Sequence, residues 1–216
     1  MRLDNITLEG MLPRVFVSES IPDSGIWRAT ATFRRGESYL VEATSGGGKS
    51  SMCAYIYGAR TDFEGRLLFN GVDTSRFDMT RWQQLRQENI AYLPQDLMLF
   101  PELTALENIR LKNGLTGYAS DSKIEEWLER LGIASRKDSP AGRLSVGQQQ
   151  RVAIIRSLCQ PFDFIMLDEP VSHLDEHNNR IAAEIISEEA KALGAGIIST
   201  SVGNRLMIDY DKTMHL

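Results

Sequence analysis

The sequence has few of the residues that build metal centres and disulfide frameworks, and it lacks long apolar runs. Its two cysteines, Cys53 and Cys159, stand beside apolar residues, which favours buried free thiols. The three histidines form no cluster with metal-ligand spacing. No stretch approaches about 18 uninterrupted apolar residues, and the first residues do not resemble a signal peptide, so we expect a cytosolic protein. The net charge of −5 argues against nucleic acid as a partner.

Residues 1–41 have the pattern of short β-strands. Polar and apolar residues alternate there, and Pro13 and Pro22 interrupt the alternation. Further along, a short apolar strand runs into Asn70 and Gly71, a pair that is typical of tight turns. We therefore expect an antiparallel β subdomain near the N-terminus.

The rest of the chain alternates strands with helices. Apolar runs at 38–43, 163–167 and 197–200 predict buried strands separated by helical patterns, an order that is typical of a parallel sheet. Residues 96–145 predict a helical insertion, which begins with the capping-box spacing Thr-Ala-Leu-Glu at 104–107. The predicted fold class is therefore α/β, with a parallel-sheet core and an inserted helical subdomain.

Residues 43–51, Ala-Thr-Ser-Gly-Gly-Gly-Lys-Ser-Ser, predict a phosphate-binding loop between a strand and a helix. Backbone N–H groups can close around a polyanion where no Cβ obstructs them, and the helix adds its positive end. Lys49 is expected to reach the β- and γ-phosphates, and the Ser50 hydroxyl to bind Mg²⁺. Ala43 replaces the usual first glycine, and we expect it to be tolerated because the later glycines line the anion. The predicted ATP-binding residues of the loop are Ala43, Thr44, Ser45, Gly46, Gly47, Gly48, Lys49, Ser50 and Ser51.

Asp168 and Glu169 follow an apolar run that would end beside the phosphate loop. There Asp168 can hold Mg²⁺ directly or through water. Glu169 is placed to orient and deprotonate an attacking water, and general-base help of this kind contributes ~10²–10⁴-fold. The alternative is an acidic pair that merely begins a loop. Pro170 and the upstream phosphate loop favour the catalytic interpretation.

Residues 144–175 read LSVGQQQRVAIIRSLCQPFDFIMLDEPVSHLD. They place a Ser-x-Gly-Gln turn, a helix, an apolar strand ending in Asp-Glu and a Leu-Asp pair in one order. Together with the phosphate loop, they resemble the ATP-binding cassette (ABC) ATPases of membrane transporters, and the resemblance covers nearly the whole chain. It implies one P-loop NTPase (RecA-like) domain, with a nucleotide-binding core of residues 1–95 and 158–216 and a helical subdomain at 96–157.

The resemblance also implies roles for residues near the ATP. Gln95, just before the helical insertion, matches a glutamine that contacts Mg²⁺ or the attacking water. Ser201 stands where the family has a histidine that touches the γ-phosphate, so we expect slower turnover with ATP affinity largely kept. Phe16 is the nearest match to an aromatic that stacks on adenine, and core packing explains it equally well.

A second set of residues matches the part of the family that contacts the ATP held by the other subunit. In the Leu-Ser-Val-Gly-Gln signature, Ser145 and the Gly147 amide would meet the γ-phosphate, with Gln148 near the ribose. Val146 replaces a glycine and would be strained only if the position needs a positive φ. Asp175 matches the loop that crosses the seam between the two subunits.

The resemblance implies ATP and Mg²⁺ as ligands, a homodimer around two ATP molecules, and a separate integral-membrane permease. The chain would then be peripheral, on the cytoplasmic face of the inner membrane. Residues 95–108 are most similar to ATPases of lipoprotein-releasing, macrolide-exporting and cell-division systems. An alternative is a hydrolysis-impaired module that regulates or scaffolds a membrane complex by ATP-dependent dimerisation, which Ala43, Val146 and Ser201 favour. A soluble ABC protein of translation or DNA repair would need tandem cassettes or long insertions.

Overall fold

The chain folds into two β-sheets and a set of α-helices. The computed structural model describes residues 2–18 and 24–216, and the predicted break at Pro22 lies outside them. The strands are β1 (Asn5–Pro13), β2 (Thr30–Arg34), β3 (Ser38–Glu42), β4 (Phe63–Phe69), β5 (Val72–Asp73), β6 (Ile90–Leu93), β7 (Phe164–Asp168), β8 (Gly196–Ser201) and β9 (Lys212–His215). The helices are α1 (Lys49–Ile56), α2 (Met79–Glu88), α3 (Ala105–Asn113), α4 (Asp121–Arg130), α5 (Val146–Leu158) and α6 (Glu176–Leu193). Within the described ranges, no helix has both the length and the apolar character that a bilayer crossing requires.

The N-terminal sheet is antiparallel, with the strand order β2-β1-β4-β5. Along β1, Ile6 and Leu8 are buried, whereas the Thr7 hydroxyl between them lies 3.1 Å from that of Thr32 on the neighbouring strand. Asn70 and Gly71 both have positive φ and make the tight turn between β4 and β5. The predicted antiparallel subdomain is therefore confirmed.

The second sheet is parallel throughout, with the strand order β6-β7-β8-β3-β9. Both of its faces are covered, as the apolar run of β7 predicts. Phe164 and Met166 pack into a cluster with α1 and the antiparallel sheet. Ile165 and Leu167 point to the opposite face and pack with α3, α4, α5 and α6. The core therefore lies on both sides of this sheet, which confirms the predicted α/β class.

The predicted helical insertion is present as α3, α4 and α5, between β6 and β7. The capping box at Thr104 and Glu107 is confirmed at the start of α3. Cys53 in α1 and Cys159 directly after α5 are buried free thiols.

The parallel strands bring their carboxyl ends to one edge of the sheet, where ligands bind in open α/β proteins. The phosphate loop (residues 43–51) follows β3, and Gln95 follows β6 by two residues. Asp168 and Ser201 are the last residues of β7 and β8. The strands predicted at 163–167 and 197–200 therefore extend one residue further, because Asp168 continues the ladder opposite Thr200 and Ser201 pairs with Glu42.

Candidate functional site

The phosphate loop connects β3 to the N-terminus of α1. Gly46 and Gly48 have φ values of +85° and +92°, a left-handed backbone that glycine adopts without strain. Gly48 is the N-cap of α1, so the positive end of the helix faces the loop. This local geometry is that of an anion-binding turn.

The Lys49 side chain is buried and held by its own loop. Its Nζ donates to the carbonyl oxygens of Ala43 at 3.3 Å and Thr44 at 3.1 Å. It also lies 3.7 Å from Glu169 Oε1. A bound phosphate would therefore compete with Glu169 for the ammonium group.

Three side chains with oxygen atoms that could bind a metal lie together where β7, β6 and α1 meet. The buried Asp168 accepts a hydrogen bond from Thr200 Oγ1 at 2.7 Å through Oδ1, whereas its Oδ2 has no partner among the described residues. The Ser50 hydroxyl donates to Gln95 Oε1 at 3.4 Å, and both residues line one groove with Asp168. A buried oxygen without a partner needs a donor or a cation, and oxygen ligands are those that Mg²⁺ prefers. The residues present therefore fit a magnesium ion.

Glu169 has a left-handed backbone, with φ of +52°. A non-glycine residue in this conformation costs about 1–3 kcal/mol and is found mainly where its neighbours hold it. Here the Glu169 amide donates to Thr200 Oγ1 at 3.1 Å, and the Glu169 carbonyl accepts from Gln150 Nε2 at 3.2 Å. The two contacts hold the Glu169 backbone, from which the carboxylate reaches the Lys49 ammonium group of the phosphate loop.

A cleft of about 330 Å³ brings some of the predicted residues together. It is lined by the phosphate loop, Gln95, Glu169 and Phe16. Phe16 is half-buried, and its Cε2 atom would lie 3.0 Å from a Cβ added to Gly48. The ring therefore packs on the phosphate loop, and its contact with an adenine base stays a prediction.

The segment after Gln95 is a strained turn. Leu97 and Met98 have φ values of +57° and +47° in succession. Arg156 of α5 donates to the Met98 carbonyl at 2.7 Å and also to the Leu97 carbonyl. Burial lowers the pKa of this guanidinium, which nevertheless remains charged near neutral pH. A single side chain of α5 therefore holds the turn that follows Gln95.

The Ser-Val-Gly-Gln turn begins α5. Ser145 is its N-cap and forms a capping box with Gln148. Val146 is the first helical residue and is half exposed, and its backbone is right-handed, so this valine is not strained. A Cβ on Gly147 would lie 2.8 Å from the His173 carbonyl oxygen, so the turn packs closely on the segment that leads to Asp175.

Asp175 is the N-cap of α6 and accepts a hydrogen bond from the Asn178 amide at 2.8 Å. Hydrogen bonds from the Asn178 backbone and side chain lower the pKa of Asp175, so this carboxylate is anionic near neutral pH. Neither Asp175 nor residues 145–148 line the cleft around Lys49. The structure thus places the predicted residues in two groups, one around the phosphate loop and one at the starts of α5 and α6.

Ser201 is buried at the end of β8, beside the phosphate loop but outside the cleft that contains Lys49. Its hydroxyl donates to the Asn204 carbonyl at 3.0 Å and accepts from the Gly203 amide at 2.9 Å. Both partners lie in its own turn. Ser201 borders a separate groove beside Thr44 rather than the cleft that contains Lys49.

Comparison with known proteins gives the family. The model of the ABC transporter family matches residues 27–172. The chain belongs to the ABC transporter family. It is 34% identical over 73% of its length to the macrolide export ATP-binding/permease protein MacB of Shewanella sp. (strain W3-18-1), of which it spans about a quarter. It is 30% identical over 83% of its length to the lipoprotein-releasing system ATP-binding protein LolD of Shewanella oneidensis, covering 80% of that protein.

The fold of a solved ABC cassette is also similar. The dimeric structure of MJ0796, a bacterial ABC transporter cassette, superposes with a TM-score of 0.81 over 98% of this chain and 94% of that one, at 24% identity. This likeness confirms the predicted P-loop NTPase fold. The names of the relatives confirm the suspected lipoprotein-releasing and macrolide-export group.

Four side chains of this ABC family member escaped the sequence analysis, and Gln150, which donates to the Glu169 carbonyl, is the first. Thr200 joins Asp168 to Glu169, and Arg156 holds the turn after Gln95. The indole N–H of Trp27 donates to the Gly47 carbonyl at 3.0 Å. Only Thr200 carried a usable signal, because a hydroxyl at the end of a predicted buried strand faces the carboxyl end of its neighbour.

Proposed function

We propose that the chain is the ATP-binding and ATP-hydrolysing subunit of an ABC transporter. The observation that carries this proposal is the meeting of the phosphate loop, the buried Asp168 with its unpartnered oxygen, and Glu169 at one edge of the sheet. Residues 1–95 and 158–216 would form the nucleotide-binding core, and residues 96–157 the helical subdomain that carries the signature turn.

In this proposal Ser50, Gln95 and Asp168 hold Mg²⁺ through their oxygen atoms. The ion would neutralise negative charge on the β- and γ-phosphates when it is bound with ATP. Lys49 would exchange its present carbonyl partners for phosphate oxygens, because a charged acceptor makes the stronger hydrogen bond. The loop amides and the start of α1 would complete the phosphate site.

Glu169 is the proposed general base. Once Lys49 turns to the phosphates, its contact with Glu169 is released and the carboxylate is free to accept a proton. A water molecule then attacks the γ-phosphorus as Glu169 takes its proton, and the bond from phosphorus to the bridging oxygen of ADP breaks. The positive φ of Glu169 serves this step by fixing the direction of the side chain.

We propose that a second copy of the chain completes each ATP site. Ser145, Val146, Gly147, Gln148 and Asp175 lie outside the cleft around Lys49 in their own chain. The signature residues lie at the N-terminus of α5, where the backbone N–H groups favour an anion. The fold likeness to a cassette solved as a dimer supports this arrangement. Asp175, which already caps α6, would lie at the seam between the copies.

We propose a separate membrane permease as the partner, and a place on the cytoplasmic face of the inner membrane through it. Met98 and Phe100 are large apolar side chains that are 64% and 50% exposed just after Gln95. An apolar surface beside the nucleotide groove suits a transient contact with another subunit. The name of MacB joins ATP binding to a permease, which supports such a partner.

The second candidate function is an ATP-dependent dimerisation module with poor hydrolysis. One observation favours it: the Ser201 hydroxyl is occupied by its own turn and offers nothing to a γ-phosphate. The two candidates differ in turnover, since both require ATP binding and pairing.

Steady-state phosphate release by the purified chain with Mg-ATP tests the proposal. Glu169→Gln is expected to reduce release by at least 10²-fold, the lower range of general-base help, while ATP-dependent dimers accumulate in light scattering. Glu126→Gln, an exposed change in α4, is the matched control and should behave as wild type. Equal release by the wild type and Glu169→Gln would contradict the proposed base, and a wild type that dimerises without turnover would favour the second candidate.

A further inference from the structure

Trp27 is a buried tryptophan whose indole reaches the phosphate loop. It is 4% exposed, and its Nε1–H donates to the Gly47 carbonyl oxygen at 3.0 Å. Its backbone is fixed as well, since the Trp27 amide donates to Ser24 Oγ at 2.8 Å, and Ser24 Oγ donates to the His215 carbonyl at 3.2 Å. The indole therefore approaches the loop from a segment tied to the edge strand β9.

The hydrogen bond sets the orientation of one peptide unit. In a trans peptide the C=O and N–H bonds point in opposite directions, so the Gly47 carbonyl and the Gly48 N–H face opposite sides of the loop. With the carbonyl held by Trp27, the Gly48 amide points away from the indole and donates to no group of the described chain. A flipped peptide would instead present the carbonyl oxygen to the anion, which is repulsive.

Packing supports the same orientation. A Cβ on Gly48 would lie 3.0 Å from Trp27 Cζ2 and from Phe16 Cε2, so both rings contact the loop where φ is +92°. Glycine permits that conformation but does not enforce it, since glycine populates both signs of φ. An external constraint on the peptide is therefore needed if the loop is to stay ready for phosphate.

We propose that Trp27 is a positioning residue of the nucleotide site, whose indole N–H holds the Gly47–Gly48 peptide with its amide directed at a bound phosphate. The inference rests on the proposed function, because it concerns the same phosphate loop. The opposing explanation is that a buried indole has simply found a carbonyl partner, as buried tryptophans usually do. In that case the bond would contribute to folding but not to nucleotide binding.

The substitution Trp27→Phe distinguishes a positioning role from a purely structural one, because it keeps an aromatic ring and removes the indole N–H donor. The dissociation constant for Mg-ADP is expected to rise about fivefold, the value of one ordinary hydrogen bond. Trp127→Phe is the matched control, because Trp127 is equally buried but packs in the helical region. We expect its nucleotide affinity to equal that of the wild type.

A second measurement keeps the test valid if Trp27→Phe does not fold. With ¹⁵N-labelled tryptophan, the chain's three indoles give separate N–H resonances, assigned through Trp82→Phe and Trp127→Phe. The Trp27 resonance should shift during a Mg-ADP titration with the dissociation constant found by calorimetry, and the other two should shift little. Equal affinity of a folded Trp27→Phe protein, or an unmoved Trp27 resonance, overturns the inference. Failure of the wild type itself to bind Mg-ADP would instead refute the proposed function.

Discussion

Ala43 and Gly47 share one methyl-sized space in the phosphate loop, and exchanging them tests how the loop is built. A Cβ added to Gly47 would lie 2.9 Å from the Ala43 Cβ and 3.3 Å from the Thr44 carbonyl oxygen. Non-bonded carbon atoms prefer about 3.5–4.0 Å. Gly47 is not among the residues with positive φ, so its backbone would accept an alanine and the obstacle is steric alone.

The cost of the substitution follows from that distance. Forcing an extra methyl group into packed surroundings costs about 1–3 kcal/mol, which is roughly five- to 150-fold in a dissociation constant. The empty loop can shift to relieve the contact, but a loop closed around phosphates cannot. We therefore expect Gly47→Ala to weaken Mg-ADP binding by this factor with little change in thermal stability, and Ala43→Gly to bind within about twofold of the wild type.

The decisive protein is the double variant Ala43→Gly/Gly47→Ala. It moves the methyl group from one side of the contact to the other and removes the 2.9 Å approach of the two Cβ atoms, leaving the 3.3 Å approach to the Thr44 carbonyl oxygen, so its affinity should recover most of the loss. Calorimetric titration of the four proteins under identical Mg²⁺ concentrations gives the coupling energy, expected at about 1–3 kcal/mol. A double variant that binds as weakly as Gly47→Ala, or a Gly47→Ala protein that binds normally, would refute the reasoning.

Three further predictions concern other parts of the structure. Arg156→Met should lower ATP turnover at least tenfold with little change in nucleotide affinity, because it releases the strained turn after Gln95; Arg156→Lys should restore part of the rate. Ser201→His should raise steady-state turnover by supplying a cationic imidazole, while its melting temperature falls because two hydrogen bonds of the turn are lost. Burial raises the pKa of Cys159 to about 12, so at pH 8 the thiol stays protonated and iodoacetamide should modify it only after unfolding.

Each of these has a result that counts against it. A normal rate of ATP turnover in Arg156→Met would show that the turn after Gln95 does not contribute to catalysis. A loss of nucleotide affinity as large as the loss of turnover would indicate general disruption of the site instead. For Ser201→His, an unchanged or lower rate argues against the missing histidine as the limit on turnover. Rapid alkylation of the native protein at Cys159, followed by mass spectrometry of the peptide, would show that the thiol is accessible.

The sequence was sufficient for those parts of the site whose geometry is local. The phosphate loop and the Asp168-Glu169 pair could be predicted because each lies within a few residues of the strand that positions it. The fold class also followed, since the buried β7 run requires cover on both faces. Contacts across the chain have no such local pattern, apart from the hydroxyl that Thr200 places at the end of a predicted buried strand. Thr200 reaches Asp168 from 32 residues away and Trp27 reaches Gly47 from 20 residues away, and neither pair is marked by a motif.

Side-chain direction was the second limit. The alignment of strands places Ser201 correctly at the end of β8, next to the phosphate loop. Its hydroxyl is nevertheless taken up by its own turn, because it donates to the Asn204 carbonyl and accepts from the Gly203 amide. Backbone conformation was uncertain in a similar way at Val146. The structure places this valine in α5 with a right-handed backbone, so no positive φ is required there.

Gln150 connects the residues around the phosphate loop to those at the starts of α5 and α6. It lies one and a half turns into α5, the helix that Ser145 begins, and is 1% exposed. Its amide nitrogen donates to the Glu169 carbonyl at 3.2 Å, and its amide oxygen accepts from the His173 amide at 3.0 Å. Glu169 is held in a conformation that costs about 1–3 kcal/mol by few contacts, so displacement of α5 acts directly on them. In the proposed dimer, a movement of the signature turn towards a second copy would therefore change the direction of the proposed base, and hydrolysis would then depend on pairing through this one side chain.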